Sequence, residues 1–256
     1  MNISDSGEEY LSYESYPVWD RSVRVFHWIN AICVIGLVFI GLAILYNKSL
    51  GVSAEGKILL KTIHVYIGYL FVSNLAWRII WLFIGNRYAR FKSVFPFGKD
   101  YRVSLGQYVE DLREGNQSNY LGHNPLARLM VALLFLLLTA QAVSGLVLAG
   151  TDIYYPPFGN GIKEWIAVDG LDEVAIGDIR PGSKENVDPV AYNEMRGFRK
   201  PFITVHKYAF YILLFALFLH IAGVVYSELK EGCGLVSAMF TGEKKFSQRP
   251  VDYDDD

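Results

Sequence analysis

Four apolar runs limit what this chain can fold into: residues 29–46, 65–84, 129–149 and 208–226. Each is close to the ~20 residues a helix needs to cross a hydrocarbon core. The third run contains no charged residue at all. A large soluble core can bury one such helix, but four of them in 256 residues, with only 20% charged residues, describe a membrane protein. In lipid the backbone must satisfy its own hydrogen bonds, so the spans are helices. The expected fold is therefore an all-α membrane protein, a four-transmembrane-helix bundle with spans near 26–46, 64–84, 126–149 and 204–226.

An even number of spans puts both chain ends on one side. The N-terminal arm, residues 1–25, begins acidic (DSGEEY), and no small-residue cleavage site follows the first run, so that run is expected to be a retained span rather than a signal peptide. Twelve Lys and Arg fall on the side of the two ends and of the 85–125 connection, against nine on the other side. Residues 152–194 of that other side hold nine acidic side chains and three basic ones. The positive-inside rule then places both termini, including the tail 227–256, in the cytoplasm and loop 150–203 outside. Cys33 and Cys233 both fall toward the cytoplasmic half, and the sequence has no CxxC or CxxCH pattern for zinc or for covalent haem. Within 85–125 the stretch SLGQYVEDLREG has helical spacing suited to the membrane surface. Loop 150–203 is rich in Gly, Pro and acid, with a short helix expected around 163–168; it is either a functional segment or an acidic linker.

Four of the five histidines, His27, His64, His206 and His220, fall in or at the ends of spans. A polar ring in hydrocarbon needs a partner, and intramembrane ionisable residues mark function more often than packing. His206 and His220 are fourteen residues apart, which in a helix is a rise of about 21 Å with a rotation about 40° short of four turns, so they share a face at opposite depths. They cannot bind one metal. With alternating span directions, the depths match in pairs: His27 with His220, and His64 with His206. Two facing imidazoles without a carboxylate or thiolate suit an axially held haem iron better than tetrahedral zinc. Two b-type haems, packed between the helices, are the expectation.

Smaller features fit. Gly68 lies one turn from His64 on the same face, and Gly36, Gly41 and Gly223 offer further flat surfaces, as small residues also do in plain helix packing. Arg78, fourteen residues after His64, either meets a haem propionate or snorkels to the headgroups. Arg24, Arg128 and Lys207 are further propionate candidates. In LGHNPLAR, Asn124 and Pro125 read as a helix cap and first turn, and His123 as an interfacial residue by default, or else a group behind the haem ligands or a proton relay for a quinone.

The segments VRVFHW, LLKTIH, GNRYAR, LGHNPLARLM and VHKYAFYILLFALFLHIAGVV, in this order, resemble the cytochrome b subunits of membrane-bound nickel–iron hydrogenases, and more distantly the haem-bearing subunits of formate dehydrogenases. The resemblance spans about residues 17–245. It implies His27 and His220 as ligands of an inner haem and His64 and His206 as ligands of an outer one, the pairing already reached from depth. It further implies a bacterial inner-membrane protein that passes electrons between a periplasmic redox partner and the quinone pool, with Asn124, His123 and Arg78 as quinone-site candidates. The resembling subunits carry a second histidine just before the one matching His206 and a shorter last outer loop; here the text is PFITVH and the loop is long and acidic. Those departures bear on the partner rather than on the haems: an acidic loop suits a basic cytochrome c as well as a hydrogenase-like enzyme. Two rival functions are a stand-alone quinone reductase using a small diffusible donor and a histidine-based metal transporter or sensor, which would be colourless and would favour carboxylates along its spans. No nucleic-acid partner is expected.

Overall fold

The computed structural model describes residues 13–116, 118–232 and 234–253; Cys233 and the first twelve residues of the expected N-terminal arm lie outside them. In chain order the elements are β1 (Glu14–Pro17), α1 (Arg21–Leu45), α2 (Ala54–Ile84), a 3-10 turn (Arg87–Ala89), α3 (Phe91–Val94), α4 (Lys99–Glu114), α5 (Pro125–Ile153), α6 (Gly159–Ile166), α7 (Glu173–Gly177), α8 (Pro189–Glu231), α9 (Leu235–Thr241) and β2 (Glu243–Phe246). Four of these, α1, α2, α5 and α8, are long and apolar enough to cross a bilayer. Large apolar side chains along them, among them Phe39, Phe83, Leu136, Phe215 and Phe218, face outward, the inverse of a soluble bundle.

Helix ends are set by local chemistry. Asp20 caps α1 by accepting from Val23 N at 2.9 Å, and its second oxygen accepts from the indole of Trp81 at 2.8 Å. Asn124 Oδ1 caps α5 through Ala127 N at 2.8 Å, and Pro125 opens that helix where a missing N–H leaves no hydrogen bond unmade. The SLGQYVEDLREG stretch lies in α4, which Gly115 ends at φ 79°, the left-handed conformation that glycine adopts without strain.

The long helices run past the expected spans. α2 begins at Ala54 and α8 at Pro189, so α8 is 43 residues long and carries Pro201 inside it. A proline removes one backbone donor, and here the turns on both sides hold the helix through it. The rest of loop 150–203 is folded and is not a linker. α6 begins four residues before the helix expected at 163–168 and ends two residues short of its expected end, and its Ile162 and Ile166 form a small core with Ile179, Val187 and Met195, tied by Asp188 N to Ile166 O at 2.8 Å. Its apolar residues are sparse in sequence, which is why the run shows no periodicity.

The chain forms two compact units. One consists of Trp28–Ala76 and Leu136–Leu214. The other consists of Met1–His27, Trp77–Phe135 and Phe215–Asp256. In the second unit the described ends of the chain meet: β1 and β2 pair antiparallel, with Tyr16 opposite Lys244. Tyr16, Val18 and Trp19 pack there with Leu121, Ala238 and Phe246. Asp252 accepts from Leu121 N at 2.6 Å and Gly122 N at 2.8 Å, fixing the tail to the turn before α5. This small sheet is an addition to the expected all-helical bundle.

Candidate functional site

In the unit of Trp28–Ala76 and Leu136–Leu214, α2 carries His64 and α8 carries His206 into a cavity of about 340 Å3, a size common for cofactor sites. The two imidazole rings stand with centroids 6.3 Å apart, at 72° to each other. A metal–imidazole bond is about 2.0 Å and the bound nitrogen lies about 1.1 Å from its ring centroid, so two rings on one axial metal have centroids about 6.2 Å apart. Among the described residues no three His, Cys, Asp or Glu side chains gather to hold a metal ion. Two imidazoles alone satisfy an iron whose other four donors come from a porphyrin.

The walls fit a flat macrocycle. A Cβ built on Gly41 would lie 3.5 Å from His64 Cε1, and one on Gly145 3.5 Å from His206 Cε1, so each ring leans on a backbone without a side chain. Gly68 borders the same cavity, and a Cβ there would meet nothing within 4 Å. Apolar residues of α1, α2, α5 and α8 supply most of the lining, with Lys61, Lys207 and Asp152 as its charged members. Asp152 is paired with Lys61 and, at 2.8 Å, with Arg199. With Lys61 already paired to Asp152, Lys207 is the lining cation left for a carboxylate of a ligand here.

On α5, Ser144 Oγ lies 2.9 Å from His206 Nδ1, and Gln141 donates to the His206 carbonyl at 2.9 Å. Neither residue, nor Gly145, was singled out from sequence. The available signal was two polar side chains and a glycine within five residues of the uncharged span.

In the other unit, His27 of α1 and His220 of α8 are within electrostatic reach of one another. Arg78 is 4% exposed, so it does not snorkel; both of its terminal nitrogens donate to Ala89 O at 3.2 Å, and its guanidinium lies 5.5 Å from the Phe135 ring centre. The 3-10 turn that presents Ala89 is itself capped by Asn86 at 2.9 Å, in the GNRYAR stretch. Arg128 donates to the carbonyls of Lys92 and Phe95, and Arg24 to that of Phe240.

His123 packs on the Trp19 ring with centroids 4.8 Å apart, and its Nδ1 is shut from solvent without a hydrogen-bond partner among the described residues. Burial first, then the cations Lys244, Arg78 and Arg128, push it down to about 3, so it is neutral at physiological pH. Lys244, also buried, donates to Tyr120 O at 3.1 Å and Gly122 O at 3.0 Å. Asn124 Oδ1 already accepts the α5 cap hydrogen bond. The structure thus gathers His27, His220, Arg78, His123 and Asn124 in one unit, and His64, His206 and Gly68 in the other.

A membrane bundle that holds imidazoles from separate helices at metal-sharing distance is the architecture of a b-type cytochrome. The chain belongs to the prokaryotic cytochrome b561 family, which residues 18–242 match. It is 27% identical to a protein of Rhizobium leguminosarum bv. viciae named "Probable Ni/Fe-hydrogenase B-type cytochrome subunit", over 95% of this chain and 94% of that one. Proteins with the same name from Rhodobacter capsulatus (24% identical, 93% of this chain and 84% of that one) and, as the hydrogenase 1 subunit, from Escherichia coli K12 (31% identical, 56% and 64%) are also similar. Membership makes this chain a membrane cytochrome of electron transport whose prosthetic group is haem b.

Proposed function

We propose that this chain is the membrane subunit that carries electrons between a periplasmic redox protein and the quinone pool, holding two b haems, one in each unit. The observation that carries the reading is the 6.3 Å separation of the His64 and His206 rings across a glycine-flanked apolar cavity. His64 and His206 are the axial ligands of the outer haem, and His27 and His220 those of the inner one. When bound, each haem supplies a one-electron centre whose potential the surrounding protein tunes.

The chain's own groups hold these sites. Helices α1, α2, α5 and α8 fix the imidazoles in a largely apolar setting, and Lys207 would supply the positive charge for a carboxylate of the outer group. In the unit of His27 and His220, Arg78 supplies a buried positive charge for carboxylates. His123, with Asn124 and Arg78, is the candidate quinone contact: a neutral imidazole can hydrogen-bond a quinone carbonyl.

Both termini and the β1–β2 sheet lie on the cytoplasmic face of the bacterial inner membrane. The folded segment 150–203 lies in the periplasm, where its acidic surface receives the partner. By the names of its relatives that partner is a hydrogenase-like enzyme; a basic cytochrome c is the competing choice, and electrostatic complementarity supports either.

A reduced-minus-oxidised spectrum of the purified protein, with haem quantified per chain, tests the reading. Two b haems are expected. A colourless protein would overturn it in favour of a metal transporter or sensor, and a coloured protein that reduces quinone from a small donor with no second subunit would move it to a stand-alone reductase.

A further inference from the structure

The outer pair of imidazoles is held asymmetrically. His64 Nδ1 is buried with no hydrogen-bond partner among the described residues. His206 is gripped by one turn of α5: Gln141 on its carbonyl, Ser144 on its ring and Gly145 against its Cε1. The Ser144 hydroxyl, 2% exposed, donates to Ala140 O at 2.5 Å. A hydroxyl has one proton. With that proton committed to its own helix, Ser144 Oγ can only accept from His206 Nδ1 at 2.9 Å. The proton of His206 then sits on Nδ1, and Nε2 carries the lone pair.

We propose that Ser144 is a positioning residue that fixes the Nδ1–H tautomer of His206 and lowers the reduction potential of the outer haem. This rests on the reading of His64 and His206 as axial ligands. An Nδ1–H that donates to a fixed acceptor makes the imidazole a stronger electron donor through Nε2, which favours the oxidised metal. Because His64 has no such acceptor among the described residues, the tuning falls on one ligand, and it is supplied by α5, which contributes no axial ligand.

The test is a redox titration of the full-length protein in membranes, with both haems followed optically, for wild type, Ser144→Ala and Ser144→Thr. S144A should keep its haem and raise the outer potential by a factor of about ten in the oxidation equilibrium, about 59 mV for a one-electron couple. The inner haem should not move, and S144T, which retains the hydroxyl, should titrate as wild type. An unchanged outer potential in S144A overturns the proposal, as does an equal shift in S144T, which would mark a packing effect. If S144A does not retain haem, Ser144→Cys carries the test: a raised potential from the weaker acceptor supports the assignment, and a wild-type potential overturns it. His206→Ala separates this from the underlying reading: a full haem complement there would sink the ligand assignment itself, whatever Ser144 does.

Discussion

At His206 and His64 the proposed haem site rests on two rings whose separation leaves room for one metal. Replacing His220 with Ala should remove one haem and spare the one between His64 and His206; haem counts by alkaline pyridine spectra check this, and loss of neither would break the pairing. Gly145 is as telling. A bare Cβ meets His206 at ordinary contact distance, so Gly145→Ala should be tolerated, while Gly145→Leu should drive methyl groups into the ring and cut haem loading in that unit by half or more. His123 supplies a pH effect whose sign is fixed. Its pKa is about 3 folded, against ~6.5 for an unperturbed histidine. Between those values the unfolded chain binds the proton and the folded one does not, so stability falls as pH drops from about 6.5 toward 3. His123→Asn should flatten that slope in melts of the detergent-solubilised protein.

Helices and strands show which tasks belong to whole elements. α5 contributes none of the proposed axial ligands, yet its 141–145 turn holds His206 in place. β2 and the residues after it tie the tail to the turn before α5 through Lys244 and Asp252. Asp252→Ala leaves two backbone N–H groups without their carboxylate, a cost of about 1–3 kcal/mol. Haem bleaching on heating should therefore begin at lower temperature in that variant, and first in the unit containing His220. The Asn124 cap, the Pro125 start and the four apolar helices were legible because capping and hydropathy are local signals. β1 and β2 were not: four-residue strands from opposite ends of the chain acquire meaning only when they pair. The same holds for the core beneath α6 and α7, whose residues are scattered from Ile162 to Met195.

On the scale of the whole molecule, the proposed docking of a redox partner concentrates on the folded segment 150–203. If its acidic surface steers a basic partner, replacing Glu164, Asp169 and Asp172 with Lys should slow electron delivery from that partner severalfold at low salt and leave a small-molecule reductant unaffected. Stopped-flow haem reduction at two ionic strengths checks it, and equal rates for both donors would remove the docking role.

By itself the amino-acid sequence determined the membrane class, the four apolar spans and the shared helix face of His206 and His220, because apolar run length and helical rise are properties of consecutive residues. Only the tertiary structure decided that Arg78 is buried on Ala89 O, that segment 150–203 folds over its own small core, and that Ser144 and Gly145 of α5 meet the ring of His206. Those facts depend on rotation and contact between separate helices. A helix carries no mark of which neighbour its small and polar residues will face until the bundle closes.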